Sequence, residues 1–383
     1  MINIIEKESC CGCYGCVNIC PYDCISMKID DEGFWYPIVD HDKCIGCNLC
    51  SNICPTINEI KKIEFNVIPY ACKSKNDEIQ VSSSSGGVFT NLCEYIIKNE
   101  GIVFGAAFND KFEVEHIEAS TMKLCEKFKG SKYVQSKIGD TYIKARKYLQ
   151  EGKLVLFSGT QCQIKGLNLF LRKDYSNLIT VDIICHGVPS PLIFKEYKEL
   201  ISKKFNSEIK YIGFREKDKG WKNFSFKVKF ENGKEYSNTH REDLYMKGFL
   251  NDLYLRPSCY NCTAKDFRNN SDISLADYWG IEEKHLDFYD EKGVSLILIN
   301  SRKGKLFFKN IEEKISTLDT DLNYAISRNP CIVKPVSYNR KRERFFNEFR
   351  RNNLEDTISK FVNVSMTEKI INKLKYIMLK FKY

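Results

Sequence analysis

The sequence predicts a chain of α/β class with α+β character, in which a small cysteine-rich module precedes a larger mixed α/β domain. Three observations predict it. Ten of the 18 cysteines lie before residue 55. At 383 residues the chain is too long for one small module and long enough to bury a full core beside it. Beyond residue 65, apolar strand-like runs alternate with amphipathic helical stretches, the pattern of βαβ units.

Cys10, Cys13, Cys16 and Cys20 precede Pro21 at spacings that recur at Cys44, Cys47, Cys50, Cys54 and Pro55. This internal duplication has a chemical reading. Each C-x-x-C-x-x-C loop wraps three thiolates round one [4Fe-4S] cube, and the remote cysteine before proline ligates the other cube. Cluster 1 would take Cys10, Cys13, Cys16 and Cys54, and cluster 2 would take Cys44, Cys47, Cys50 and Cys20. Zinc, with four tetrahedral ligands per ion and usually two separated C-x-x-C pairs, would leave half of the octet unexplained. Residues 1–62 are therefore expected to be a bacterial-ferredoxin-like 2[4Fe-4S] domain. Cys11 and Cys24 fall outside the octet and are read as small buried side chains.

Residues 1–60 hold three lysines and nine carboxylates, a net of −6, so the other 323 residues carry +15 to reach the total of +9. Complementary charge could seat the module on the body or steer an external donor, and two ordinarily solvated surfaces fit equally well. The start, MINIIEKESC, has no basic segment followed by an apolar one, and no run is long enough to span a bilayer. The expectation is a soluble cytoplasmic protein, where a regular cysteine pattern points to metal or redox work.

By pattern the body starts at residue 63 and changes character after 330, which sets 331–383 apart. VIPYACKS (67–74) reads as a strand. The run SSSSGG opens a helix with Val88, Leu92, Tyr95 and Ile96 on one face, so Ser84, Ser85, Gly86 and Gly87 are read either as a helix N-terminus facing a cofactor phosphate or as a plain capped helix. Residues 101–108 and 112–119 pair as strands. Strand 153–159, a helix from Thr160, strand 178–185 and a helix from Leu192 form a βαβ crossover, which places Cys162 and Cys185 on the ligand-binding edge of an α/β sheet. A helix N-terminus would also lower the Cys162 thiol pKa. Cys259 and Cys262, a C-x-x-C pair, would complete a third cube with them. A redox dithiol or a zinc half-site is the competing reading, and Cys331 is a substitute ligand. Residues 224–237 read as a hairpin turning at Asn232-Gly233, and 293–301 as a further strand. The last stretch carries a basic amphipathic face at Ile370, Ile371, Leu374, Ile377 and Met378, which either packs on its own domain or meets an anionic membrane surface.

The strings SSSSGGVFTNL, KGSKYVQSKIGD, FSGTQCQIKGL, DIICHGVPSP and RPSCYNCTAKDFRNNSDISLADYWGI resemble the beta subunits of the hydrogenases and dehydrogenases that use the deazaflavin coenzyme F-420, over residues 65 to 325. Members are iron-sulfur flavoproteins, and by this likeness the body divides into residues 63–150 and 151–330. The resemblance implies FAD, a cluster beside it at Cys162, Cys185, Cys259 and Cys262, flavin contacts at Ser84–Gly87 and at Ser131, Lys132 and Tyr133, and an active site near Asp277 and Trp279. Gln161 departs from the family string, which more often has proline there. His186 is a candidate to hydrogen-bond flavin or cluster sulfur, with a structural role as the alternative. The function expected is an oxidoreductase passing electrons between a one-electron carrier protein, the clusters, FAD and a small substrate. That substrate would be a deazaflavin, or a sugar or isoprenoid intermediate of polysaccharide biosynthesis. The alternative is a non-catalytic ferredoxin-type electron-wiring subunit of a larger redox complex. Nucleic acid is not an expected partner, since no recognition module is visible.

Overall fold

The structure, a computed structural model, describes residues 2–3, 6–62 and 64–362. It is organised on one mixed eight-stranded sheet with a cysteine-rich module seated at one end. In chain order the strands are β1 (Ile25–Ile29), β2 (Trp35–Val39), β3 (Ile68–Ser74), β4 (Ile102–Phe108), β5 (Val114–Ala119), β6 (Val155–Thr160), β7 (Leu178–Ile183), β8 (Ile209–Glu216), β9 (Ser225–Phe230), β10 (Glu235–Thr239), β11 (Ile273–Asp277), β12 (Ser295–Ile299) and β13 (Ile315–Asp319).

The large sheet runs β13-β3-β12-β11-β7-β6-β4-β5. Its centre, β4, β6, β7 and β11, is parallel, and β12, β3 and β13 extend it antiparallel. Central strands such as Val155-Leu156-Phe157 are buried throughout, as a sheet covered on both faces requires. Parallel neighbours need crossovers, and the helices Gln161–Leu171 and Pro191–Phe205 follow β6 and β7. Both are capped as their sequences dictate. Thr160 and Gln163 form a capping box, and Ser190 accepts from the Ile193 N–H ahead of Pro191 at the first turn.

The expected hairpin forms as β9 and β10, joined by β8 into a three-stranded antiparallel sheet. Its apolar face, Ile212, Phe214, Phe226 and Val228, packs on Ile193, Phe194 and Tyr197 of the crossover helix. The helices Arg342–Phe349 and Leu354–Val362 close this core with Phe345, Phe346, Ile358 and Phe361. The amphipathic face expected at 370–378 lies outside the described residues. No described helix is long and apolar enough to cross a membrane.

The N-terminal module is pinned to the body by charge as well as by packing. Arg342, nearly buried, donates from Nη1 to Glu32 Oε1 at 3.1 Å and from Nε to the Leu255 carbonyl at 2.9 Å. Lys62 pairs with Asp266 at 2.7 Å, and Arg350 with Asp31. Two of these pairs set a body arginine on a module carboxylate, and the third runs the other way, from Lys62 at the end of the module to Asp266 of the body.

Candidate functional site

The duplicated loops fold into short turns, with Gly15–Ile19 and Leu49–Asn52 as single helical turns after the second cysteine of each. Burial, followed by the neighbouring Cys10 and Cys54, pushes the Cys16 thiol up, and the buried Cys13 has Cys11 and then Cys16 and Cys54 beside it, so Cys10, Cys13, Cys16 and Cys54 come together across the duplication. Cys20, Cys44 and Cys50 share one small core with Cys16, Cys54 and the buried Cys24, whose sulfur lies 3.3 Å from that of Cys20. Cys47 and its neighbour Ile45 are exposed, so that loop faces solvent.

Cys162, Cys185, Cys259 and Cys262 line a single cavity at the C-terminal edge of the parallel strands. Cys162 enters from the helix after β6, Cys185 from the end of β7, and the last two from a short helical turn, Pro257–Asn261. Cys162 Sγ meets Thr160 Oγ1 at 3.3 Å, and Cys259 Sγ accepts from the Val188 N–H at 3.4 Å. Burial pushes the Cys185, Cys259 and Cys262 thiols up, Cys259 to about 12. The expected lowering at Cys162 does not occur. The Cys11 thiol beside it, followed by burial, holds Cys162 well above the ordinary value despite its place in the first helical turn. Clustered buried thiols of this kind stay protonated until a cation draws them together.

A [4Fe-4S] cube fits this donor set: four cysteines, one cavity and three enclosed cations. Lys165, Lys265 and Arg256 are almost fully buried and line it. Lys265 Nζ donates to the Cys331 carbonyl at 2.7 Å and to that of Cys185. Among the described residues no three His, Cys, Asp or Glu side chains converge as on a single ion. A cube spreads its thiolates over separate irons.

Sequence reasoning missed four contributors here: Cys11, Lys165, Arg256 and Lys265. The module itself forms part of the wall, through Cys11, Pro55 and Thr56. Cys331 lies just outside, with Sγ 3.7 Å from His186 Nδ1, and His186 Nε2 meets Asp252 Oδ1 at 2.5 Å. That pairing is one cause that raises His186, to about 9, against its burial.

The remaining expected residues gather elsewhere on the same sheet edge. Ser84 Oγ accepts from the Ser131 N–H at 2.8 Å and from its hydroxyl at 3.0 Å. Ser85 Oγ donates to the Val294 carbonyl, and the Gly86 N–H donates to Ser295 Oγ, each at 2.9 Å. Gly87 takes a positive φ as it starts the helix Val88–Lys98. The serine run thus spends much of its polarity on the protein itself. Lys132 Nζ is likewise tied to the Lys127 carbonyl at 2.9 Å, and its burial pushes it down to about 7. Asp277 binds Arg215 and accepts from Trp221 Nε1 at 2.8 Å, while Trp221 stacks on Trp279 with centroids 5.2 Å apart. Arg215 Nη1 reaches the Tyr133 hydroxyl at 3.5 Å, and its Nε and Nη2 are buried with no hydrogen-bond partner among the described residues.

Residues 152–321 match the family model for the C terminus of the coenzyme F420 hydrogenase/dehydrogenase beta subunit, and residues 9–58 match a 4Fe-4S dicluster domain. The beta-subunit match spans 170 of the 383 residues, and within that region the chain is similar to the family. All four cavity cysteines lie inside the beta-subunit region, and all eight ferredoxin cysteines inside the dicluster domain. The protein is thus an iron-sulfur protein of a redox family. Among solved structures the chain is similar to one in the xenon-derivatised F420-reducing [NiFe] hydrogenase complex from Methanosarcina barkeri, at 18% identity, over 79% of this chain and 93% of that one, with a TM-score of 0.45. No curated protein matches the sequence.

Proposed function

We propose that this chain is the iron-sulfur electron-transfer subunit of a larger redox complex, with three [4Fe-4S] clusters in sequence. The observation that carries the reading is the shared wall. The cavity of Cys162, Cys185, Cys259 and Cys262 is lined in part by Cys11, Pro55 and Thr56 of the ferredoxin module, so the two meet at one wall. The bound clusters supply one-electron storage at each position. The protein's own residues set where charge enters and how it is held. Ile45 and Cys47 expose the cluster 2 loop to a one-electron carrier protein. Arg256 and Arg342 hold the module against the body, and Lys165, Lys265 and Arg256 offset negative charge in the cavity.

A second reading, FAD and two-electron chemistry on a deazaflavin or another small molecule, is favoured by one observation. Arg215 presents two unpartnered buried nitrogens beside Tyr133, Asp277 and Trp279, a place for an acceptor-rich ring or anion. Ser84 and Ser131 would flank it.

Iron, sulfide and flavin content of anaerobically purified protein decides between these. About twelve irons without flavin supports the wiring role, and about twelve with one FAD supports the second reading. About eight irons would remove the third cluster from both.

A further inference from the structure

Cys11 stands outside the eight-cysteine pattern, yet its side chain fills the seam between the module and the cavity. It stands two residues before Cys13 in the first ligand loop and shares the cavity wall with Cys162. It also lines the cavity with Cys162, Cys185, Cys259 and Cys262. Two glycines make this approach feasible. At Gly166, one turn beyond Cys162, an added Cβ would stand 2.9 Å from Cys13 Cβ and 3.1 Å from Cys13 Sγ. At Gly12, with φ +69°, it would stand 2.6 Å from Gln135 Nε2. The backbone around Cys11 is held from the body, by Gln135 Nε2 to the Cys11 carbonyl at 3.2 Å and Arg256 Nε to the Cys10 carbonyl at 2.7 Å. A polarisable sulfur is thus held in the seam between the first ligand loop and the cavity of Cys162.

We propose that Cys11 is the contact that couples cluster 1 to the third cluster, along Cys13, Cys11 and Cys162, without being a ligand of either. The proposal rests on the reading of the cavity as a cluster site. In the transfer one electron leaves cluster 1, which is oxidised by one, and arrives at the third cluster, which is reduced by one. Cys11 keeps its proton, and no bond forms or breaks.

The test is C11A in the full-length, anaerobically purified protein, followed by iron content, potentiometry and flash photoreduction. The expected result is an unchanged iron content, unchanged midpoint potentials and a module-to-cavity electron transfer slowed by at least an order of magnitude. An unchanged rate overturns the proposal, and so does loss of one cube's iron, which would make Cys11 a ligand. Gly166→Ala is the second variant, since it pushes Cys13 off the helix with Cys11 intact. It should also slow the transfer, and full speed in this variant counts against the path. Wild-type protein with only two cubes' iron would instead overturn the reading of the cavity itself.

Discussion

Arg256 donates from Nε to the carbonyl of Cys10 at 2.7 Å, so a fully buried guanidinium of the body closes on the first ligand loop of the module from 246 residues away. Its Nη1 reaches Gln135 Oε1 at 3.0 Å, its Nη2 reaches the Trp35 carbonyl at 2.9 Å, and the group lies 4.3 Å from the Tyr36 ring centroid. Three directed bonds and a stacked ring make use of a planar fork.

Arg256→Lys keeps the charge and loses most of this geometry. We expect a cost of about 2–4 kcal/mol from polar groups left buried and unpaired. Urea unfolding of the holoprotein would read it, with proteolysis near residue 62 setting in earlier than in the wild type.

Cys262→Ala should remove one cube's worth of iron and leave the signals of the ferredoxin pair intact. Cys72, fully buried within β3 and not part of the cavity wall, is the control. Cys72→Ala should keep all the iron, and a loss there would undo the assignment of ligands by cavity.

Lys165 is buried against the cavity with Nζ 3.3 Å from Thr263 Oγ1. Reduction adds negative charge, which a nearby cation favours, so Lys165→Met should lower the midpoint potential of the third cluster and leave those of clusters 1 and 2 in place. EPR-monitored potentiometry separates the three.

His116 lies buried between Ser136 Oγ at 2.7 Å and the Ser158 carbonyl at 3.0 Å, and burial pushes it down to about 4. A histidine held below its unfolded value is neutral when folded, so its contribution is whole above pH 6.5 and is lost as pH falls toward 4. The expected loss is about 2 kcal/mol by pH 5. His116→Gln should flatten that part of the stability profile, measured as the urea midpoint against pH.

The parts of the fold with strong periodicity were legible in the sequence. The crossover β6, helix, β7 and the hairpin at Asn232-Gly233 appear where their apolar patterns and turn residues put them. β8 was not legible, because Lys210 and Tyr211 interrupt its alternation and only pairing with β9 makes it a strand. β11 was not read as a strand either. Its Ser274 side chain faces Asp182 in a buried polar network, which dilutes an apolar run. At the site, local spacing singled out the eight cysteines of the duplicated loops, while the βαβ pattern, a C-x-x-C pair and the family resemblance pointed to Cys162, Cys185, Cys259 and Cys262, which line one cavity. Cys11, Arg256 and the two lysines act only across the seam between modules, a relation that no local pattern records. The expected lowering at Cys162 failed for the same reason, since Cys11 outweighs the helix terminus.

The shared wall also ties the two ligand sets together in the chain. Because Pro55 and Thr56 follow directly on Cys54, and Cys11 sits between Cys10 and Cys13, the segments that line the cavity are continuous with the loops that would grip cluster 1. Any displacement of the module would therefore reshape the cavity of Cys162 and Cys259 at the same time as the first ligand loop.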